Sequence, residues 1–206
     1  MADTDAKTDL DSLIEGGEAA LGAVFARHQR PLERMIAFRL DERVRGRVDP
    51  EDVLQEAFIE ASKRLKDYLA APQVSFFVWL RQITYQTLLT VQRRHFGQKR
   101  DPRLEVNGKA DANQDATCLS IFSAFIGQLT TPSQLLMKQE QLDQLKRILA
   151  EMDEIDREVL ALRHFEHLSN SQIAESLGIS VTAASNRYVR AMTRLSEVAQ
   201  KTMNRE

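Results

Sequence analysis

An all-α protein made of two small helical domains is what the sequence predicts, on three observations. Glycine and proline are scarce, eight and five in 206 residues, while alanine, leucine, glutamate, glutamine and arginine are plentiful. That composition favours helices throughout. Apolar residues recur at three- and four-residue spacing in each long segment. Between residues 97 and 131 the periodicity gives way to breakers and polar groups, which divides the chain. The organisation expected is a disordered acidic tail over 1–17, a helical domain over 18–96, a flexible linker over 97–131, and a domain containing a helix-turn-helix over 132–206.

Taken in order, the first helix carries Leu21, Val24, Phe25, His28, Leu32, Met35 and Ile36 at helical spacing, with Pro31 expected to bend or divide it. After a turn around residues 45–48, Asp49 caps a second helix. Pro50 fits its first position, where a missing N–H is harmless, and Glu51 and Asp52 meet the positive end of the helix dipole. Leu54, Phe58, Ala61, Leu65 and Tyr68 form its buried stripe. A long third helix runs from Phe76 to about Phe96 with Phe77, Leu80, Thr84, Leu88 and Val91 as its core face. Within the linker, residues 119–126 are apolar and predict a short docking helix. The second domain starts at Pro132 or Ser133, with Leu135, Leu136, Leu142, Leu145, Ile148 and Leu149 along one side. Asp153, backed by Asp156, is expected to cap a helix containing Val159, Leu160 and Leu162.

The most specific signal follows, from Leu168 to Ala191. Ser169 and Gln172 have capping-box spacing, Ile173, Ala174 and Leu177 give a short helix an apolar face, and Gly178 supplies a left-handed residue to end it. Ser180 caps the next helix, whose inner side is Val181, Ala184, Tyr188 and Ala191. Thr182, Ala183, Ser185, Asn186, Arg187 and Arg190 are left outward, a surface of small and polar groups with two guanidinium forks. Such a surface suits base edges and phosphates in a major groove.

Composition excludes several function classes. No apolar run approaches the roughly 18 residues of a membrane span, and the acidic N-terminus lacks the apolar core of a signal peptide. The single cysteine, Cys118, rules out an internal disulfide and fits a reducing cytoplasm. The net charge of −2 hides a segregated distribution. Residues 1–20 hold six acids and one base, whereas residues 81–103 hold six bases and one acid, and residues 180–206 five bases and two acids. No glycine-rich phosphate loop, Cys-x-x-Cys pair or nucleophile–base pattern occurs, so a binder rather than an enzyme is expected, with no cofactor. His164 and His167 lie three apart, but without a cysteine or acid cluster beside them no metal site is expected.

Two helices carry further candidate surfaces. On the second, Asp52, Glu56 and Glu60 recur every four residues away from the core, beside Gln55 and Ile59. Like charges so spaced are mildly unfavourable in an isolated helix, so the row reads either as a face kept for a basic partner or as a plain solvated face. On the third, Trp79, Gln82, Gln86 and Arg93 form a second stripe flanked by Tyr85 and Arg94. Aromatic, amide and guanidinium groups mixed in this way suit unstacked bases and phosphates, although aromatics at helical spacing are more often core.

Residues 49–58 (DPEDVLQEAF), 76–83 (FFVWLRQI) and Arg93-Arg94 resemble the core-binding and promoter-melting region of bacterial RNA polymerase sigma factors. Residues 149–169, with the helix-turn-helix, resemble their C-terminal promoter-reading region. Two domains joined by a linker look like the compact extracytoplasmic-function class. The resemblance implies that Asp52, Gln55, Glu56, Ile59 and Glu60 dock on the polymerase core enzyme. It implies that Tyr68, Trp79, Gln82, Tyr85, Gln86, Arg93 and Arg94 meet the minus-ten promoter element. It also implies that Thr182, Ala183, Ser185, Asn186, Arg187 and Arg190 meet the minus-thirty-five element, and that the apolar linker segment threads toward the RNA exit path. An anti-sigma or other regulatory protein is the further partner implied. The chain departs from the family pattern where Tyr85-Gln86 replaces the usual Arg-Asn and Thr90 replaces an aspartate. Both changes fall on the strand-melting helix, while Ala183 and Ala184 leave the recognition helix light on side chains.

A free-standing helix-turn-helix regulator, with an N-terminal dimerisation or sensory domain, is the alternative. It leaves the acidic helix and the aromatic–basic helix without a purpose. A helical adaptor recruited by protein contacts alone leaves Arg187 and Arg190 without one.

Overall fold

The computed structural model describes residues 2–41, 43–97 and 152–203 of the 206. Every regular element among them is a helix: α1 (Ala2–Arg39), α2 (Pro50–Ala70), α3 (Phe76–Gly97), α4 (Glu154–His164), α5 (Asn170–Leu177) and α6 (Val181–Met203). The fold is all-α. The chain divides into two compact units, residues 1–106 and 107–206. The apolar linker segment, Cys118 and the helix expected from residue 132 or 133 to 149 lie outside the described residues.

In the first unit α1, α2 and α3 pack against one another. Asp49 caps α2 as expected, its side chain accepting from the Glu51 N–H at 2.9 Å. Val53, Leu54, Ala57, Ala61, Leu65 and Tyr68 are buried on α2. Phe58 is half-buried instead and meets Phe25 edge to face, ring centroids 5.1 Å apart. On α3 all five expected core residues are buried. The buried polar groups there are satisfied: the Thr84 hydroxyl donates to the Leu80 carbonyl, and the Gln92 amide donates to the Arg39 carbonyl on α1 at 3.1 Å.

Two expectations for α1 are corrected. Pro31 does not divide the helix; the break is at Gly17, with φ 54° and ψ −135°. That backbone suits glycine, which has no Cβ to clash. Around Pro31 the helix holds because Leu32, Met35 and Ile36 are buried on the two neighbouring helices' side. Nor is the acidic N-terminal segment disordered. It is helical, and beyond Gly17 the chain returns past it. Asp9, only 3% exposed, accepts from Arg27 Nη2 at 2.6 Å and lies 2.5 Å from His28 Nε2. Leu13, one turn on, is fully buried. Averaged composition misses this because a single carboxylate and a single leucine on one face supply the anchor.

In the second unit α4, α5 and α6 pack mutually around Val159, Leu160, Leu162, Leu168, Ile173, Ala174, Ala184 and Ala191. Asp153 caps α4, accepting from the Ile155 N–H at 2.9 Å. Val181, expected inside, is 49% exposed. It shares the stripe of Ala184 and Ala191 but sits at the very start of α6, past the residues that cover them. Among the described residues no helix is long and apolar enough to cross a membrane.

Candidate nucleic-acid interface

The helix-turn-helix has the local chemistry its sequence predicts. Ser169 Oγ accepts from the Gln172 N–H at 3.3 Å while Gln172 Oε1 accepts from the Ser169 N–H at 2.9 Å, a reciprocal capping box. Gly178 is left-handed, with φ 63°. The following residue's N–H, that of Ile179, reaches the Ala174 carbonyl at 3.0 Å and closes α5. Ser180 Oγ accepts from the Ala183 N–H at 3.0 Å and opens α6. The Asn170 amide donates to Ser185 Oγ at 2.9 Å, fixing α5 against α6.

Thr182 and Asn186 are exposed, Ala183 and Ser185 half-buried. Val189 is exposed in the same row and was not singled out from sequence. Its position seven after Thr182 was the available signal, masked by its apolar character. Arg190 is outward and Arg187 half-buried, but neither is without a partner. Both fold back onto Asp156 of α4, whose side chain is wholly buried. Arg190 makes a two-pronged contact, Nε to Oδ2 and Nη2 to Oδ1, each 2.7 Å. Arg187 Nη1 donates to Asp156 Oδ1 at 2.9 Å and reaches Asp153 Oδ1 at 3.4 Å. Burial by itself raises the Asp156 pKa, but the hydrogen bonds and charges of Arg190 and Arg187 outweigh it and hold the carboxyl below its ordinary value. So Asp156, in the first turn of α4, also ties α4 to α6. Behind α6, Tyr188 Oη lies 3.3 Å from His164 Nε2, and burial lowers the pKa of that histidine.

In the first unit, α2 presents Asp52, Gln55 and Ile59 to solvent, Ile59 being 53% exposed. It stands on a ridge. On one side lies an apolar groove floored by Phe25, Leu54 and Phe58; on the other a polar groove runs between α2 and α3. Two of the three acids in the row, Glu56 and Glu60, are paired with bases. Glu56 accepts twice from Arg94 Nη1, at 3.0 and 3.1 Å, across to α3. Glu60 accepts from Lys63 at 2.7 Å and Arg64 at 3.1 Å, and those bonds lower its pKa. Arg64 also donates to Gln86 Oε1 at 3.3 Å.

The aromatic stripe is layered. Trp79, half-buried, stacks on Tyr68 with centroids 4.6 Å apart and planes 28° off parallel. Tyr68 is buried, and its hydroxyl donates to the Val74 carbonyl at 3.0 Å, tying down the loop before α3. Tyr68 therefore backs Trp79 rather than lying open to bases. Tyr85 is half-buried, with the guanidinium of the buried Arg39 5.0 Å from its ring centre. Its ring face is thus turned to α1. Gln82 and Gln86 are exposed. At the departure position, Thr90 Oγ1 donates to the Gln86 carbonyl at 2.9 Å and accepts from Arg93 Nη2 at 3.3 Å. Among the described residues no group of three or more histidine, cysteine or acidic side chains converges on a metal site.

A capped, glycine-terminated short helix followed by a longer one, with a polar outward row, defines a DNA-binding helix-turn-helix protein. Residues 142–195 match the family model described as Sigma-70, region 4. The chain is 26% identical over 191 residues to RNA polymerase sigma factor NccH of Alcaligenes xylosoxydans xylosoxydans, across 90% of each chain. It is 26% identical over 182 residues to sigma factor CnrH of Cupriavidus metallidurans, across 88% of this chain and 87% of that one. It is 23% identical over 199 residues to the ECF RNA polymerase sigma-E factor of Escherichia coli, across 95% of each. Among solved structures, CnrH in complex with the cytosolic domain of CnrY aligns over 96% of both chains, at 23% identity and a TM-score of 0.48. Over most of its length the chain is similar to RNA polymerase sigma factors, those of the extracytoplasmic-function class among them, and its helix-turn-helix lies within the stretch that matches Sigma-70, region 4.

Proposed function

We propose that this chain binds the RNA polymerase core enzyme and directs promoter-specific initiation by recognising and melting promoter DNA in the cytoplasm. The observation that carries the reading is that similarity to sigma factors runs through both units, at 26% identity over 90% of the chain. A free-standing regulator accounts for the second unit alone. The first, residues 18–96, is the core-binding and minus-ten unit; the second, residues 132–206, reads the minus-thirty-five element, and residues 97–131 connect them.

Core polymerase docks on the ridge of Asp52, Gln55 and Ile59, with Glu56 and Glu60 at its edge. Burying Ile59 supplies apolar area, while Glu56 can exchange Arg94 for a basic group on the polymerase at little loss, since an exposed ion pair contributes about 0–1 kcal/mol. Trp79, supported by Tyr68, and Gln82 and Gln86 meet unpaired minus-ten bases; stacking on such a platform contributes about 1–3 kcal/mol per base. Arg93, and Arg94 once Glu56 is engaged elsewhere, meet phosphates. On α6 the row of Thr182, Asn186 and Val189 faces base edges, flanked by Ala183, Ser185, Arg187 and Arg190. A regulatory protein that withholds the chain from polymerase is the further partner of this class. No catalytic step is assigned to the chain.

Reconstituted transcription tests this: core polymerase with and without the chain on fragmented host genomic DNA, with the RNA 5′ ends sequenced. New starts sharing two upstream motifs are expected. No new starts, with sequence-specific duplex binding by the chain alone, overturns the reading in favour of the free-standing regulator.

A further inference from the structure

We propose that Asp156 is a positioning residue for promoter discrimination, holding the guanidinium groups of Arg187 and Arg190 in a fixed attitude beside the base-reading row of α6. The inference rests on the reading of α6 as the helix that meets duplex DNA.

Three observations carry it. First, Asp156 lies within α4 with no exposed side-chain surface, so its carboxylate cannot be satisfied by water and has to be paired. Both partners come from α6, one turn apart, and approach from the same side. Second, Arg190 spends Nε and Nη2 on the carboxylate yet remains half exposed. Its Nη1 is not part of that fork. A guanidinium held at two points has little freedom left to lose when a phosphate or base edge arrives, which is the benefit of preorganisation. Third, the two guanidinium groups at the edge of a row made of Thr182, Asn186 and Val189 are offset by Asp156 and, through Arg187 at 3.4 Å, by Asp153, so that removing the Asp156 charge uncovers one cation. Non-specific attraction to DNA scales with the number of unneutralised cations. Asp156 thus reduces the charge that binds any sequence while fixing the geometry that selects one.

The test uses the whole chain assembled with core polymerase. It compares filter binding to a promoter fragment, chosen from the mapped start sites, with binding to a fragment of scrambled upstream sequence, across a salt series. The variants are Asp156→Asn, nearly the same shape without the charge, and Arg190→Lys, which keeps a positive charge but loses the fork. For Asp156→Asn we expect scrambled-fragment binding to strengthen, its log–log salt slope to steepen by about 0.9, one freed cation's worth. Preference for the promoter should fall about tenfold, the scale of one well-placed guanidinium contact. For Arg190→Lys the same loss of preference is expected with an unchanged slope. Neither change is expected of a residue that merely staples α4 to α6. Preserved preference and slope in a folded Asp156→Asn chain overturns the proposal. If Asp156→Asn does not fold, Arg190→Lys decides: full preference overturns the proposal, and lost preference at constant slope supports it. A wild-type chain that yields no defined start sites overturns the sigma-factor reading and this inference with it. Defined starts with unaltered variants overturn this inference alone.

Discussion

Asp156 and Gly178 show how single residues set the helix-turn-helix. Gly178 has φ 63°, and a Cβ built there meets nothing within 4 Å. The burden of Gly178→Ala is therefore backbone strain without steric clash, about 1–2 kcal/mol for an L-residue in the left-handed region. Thermal or urea unfolding of the variant should show that loss, and no loss would mean α5 ends in another way. For Asp156 the folded pKa lies below the unfolded value, because Arg190 and Arg187 overcome its burial. The carboxylate's contribution to stability is then complete above the unfolded pKa of about 4 and disappears as pH falls through the lower folded value. Wild type should exceed Asp156→Asn in melting temperature at neutral pH, and the gap should narrow as pH falls below about 4. His164 shares the sign of that shift. Its pKa is lowered by burial, so protonation as pH falls below its unfolded value of about 6.5 opposes the fold. A gap in melting temperature that stays constant with pH would contradict the ionised pairing of Asp156.

At the scale of elements, α2 and α3 are joined by an apolar seam and an ionic rim of very different weight. Phe76 is fully buried and touches Tyr68 and Trp79 with ring centroids 5.9 and 5.5 Å away. Phe76→Ala should destabilise the first unit by about 3–5 kcal/mol, as cavities of that size do. It should also lower Trp79 emission anisotropy by releasing its platform. The Glu56–Arg94 pair is exposed on both sides. A double-mutant cycle on it should return less than about 1 kcal/mol of coupling in stability. Ile59 belongs to neither seam. Ile59→Asp should leave the melting temperature within error while weakening competition for core polymerase at least tenfold, measured against a labelled sigma subunit. If competition is unchanged, the ridge is not the docking surface.

For the molecule as a whole, charge segregation survives folding only in part. The bases of residues 81–103 include Arg81, which is buried, Arg93, bonded to Thr90 and to its own helix, and Arg94, paired with Glu56. On α6, Arg187 and Arg190 share Asp156. Among the described residues of these two stretches, Arg94, Arg187 and Arg190 are thus paired with carboxylates, and the chain alone should hold duplex weakly at physiological salt. Once assembled with polymerase, the complex should bind promoter fragments with a salt slope that Arg93→Gln reduces by about 0.9, equally for all sequences. A chain that binds random duplex tightly by itself would contradict this accounting of its charges.

The sequence by itself determined the helices, their caps and the helix-turn-helix. These are set by neighbours in the chain: Asp49 before Pro50, Ser169 three before Gln172, Gly178 after Leu177, and the apolar spacing of α3. Each involves residues within one or two turns, where backbone geometry fixes what meets what. Tertiary structure decided the partners of the charged and aromatic side chains. Arg94 finds Glu56 across 38 residues, Gln92 finds Arg39 across 53, and Arg190 finds Asp156 across 34. Spacing along one helix says which face a side chain occupies and nothing of the helix that comes to lie opposite. For that reason Glu56 of α2, the ring of Tyr85 and the two arginines of α6 have partners in the fold that spacing does not announce. The anchored N-terminal segment makes the same point. A lone Asp9 and a lone Leu13 look like the tail of a disordered run until the break at Gly17 lets the second half of α1 meet them.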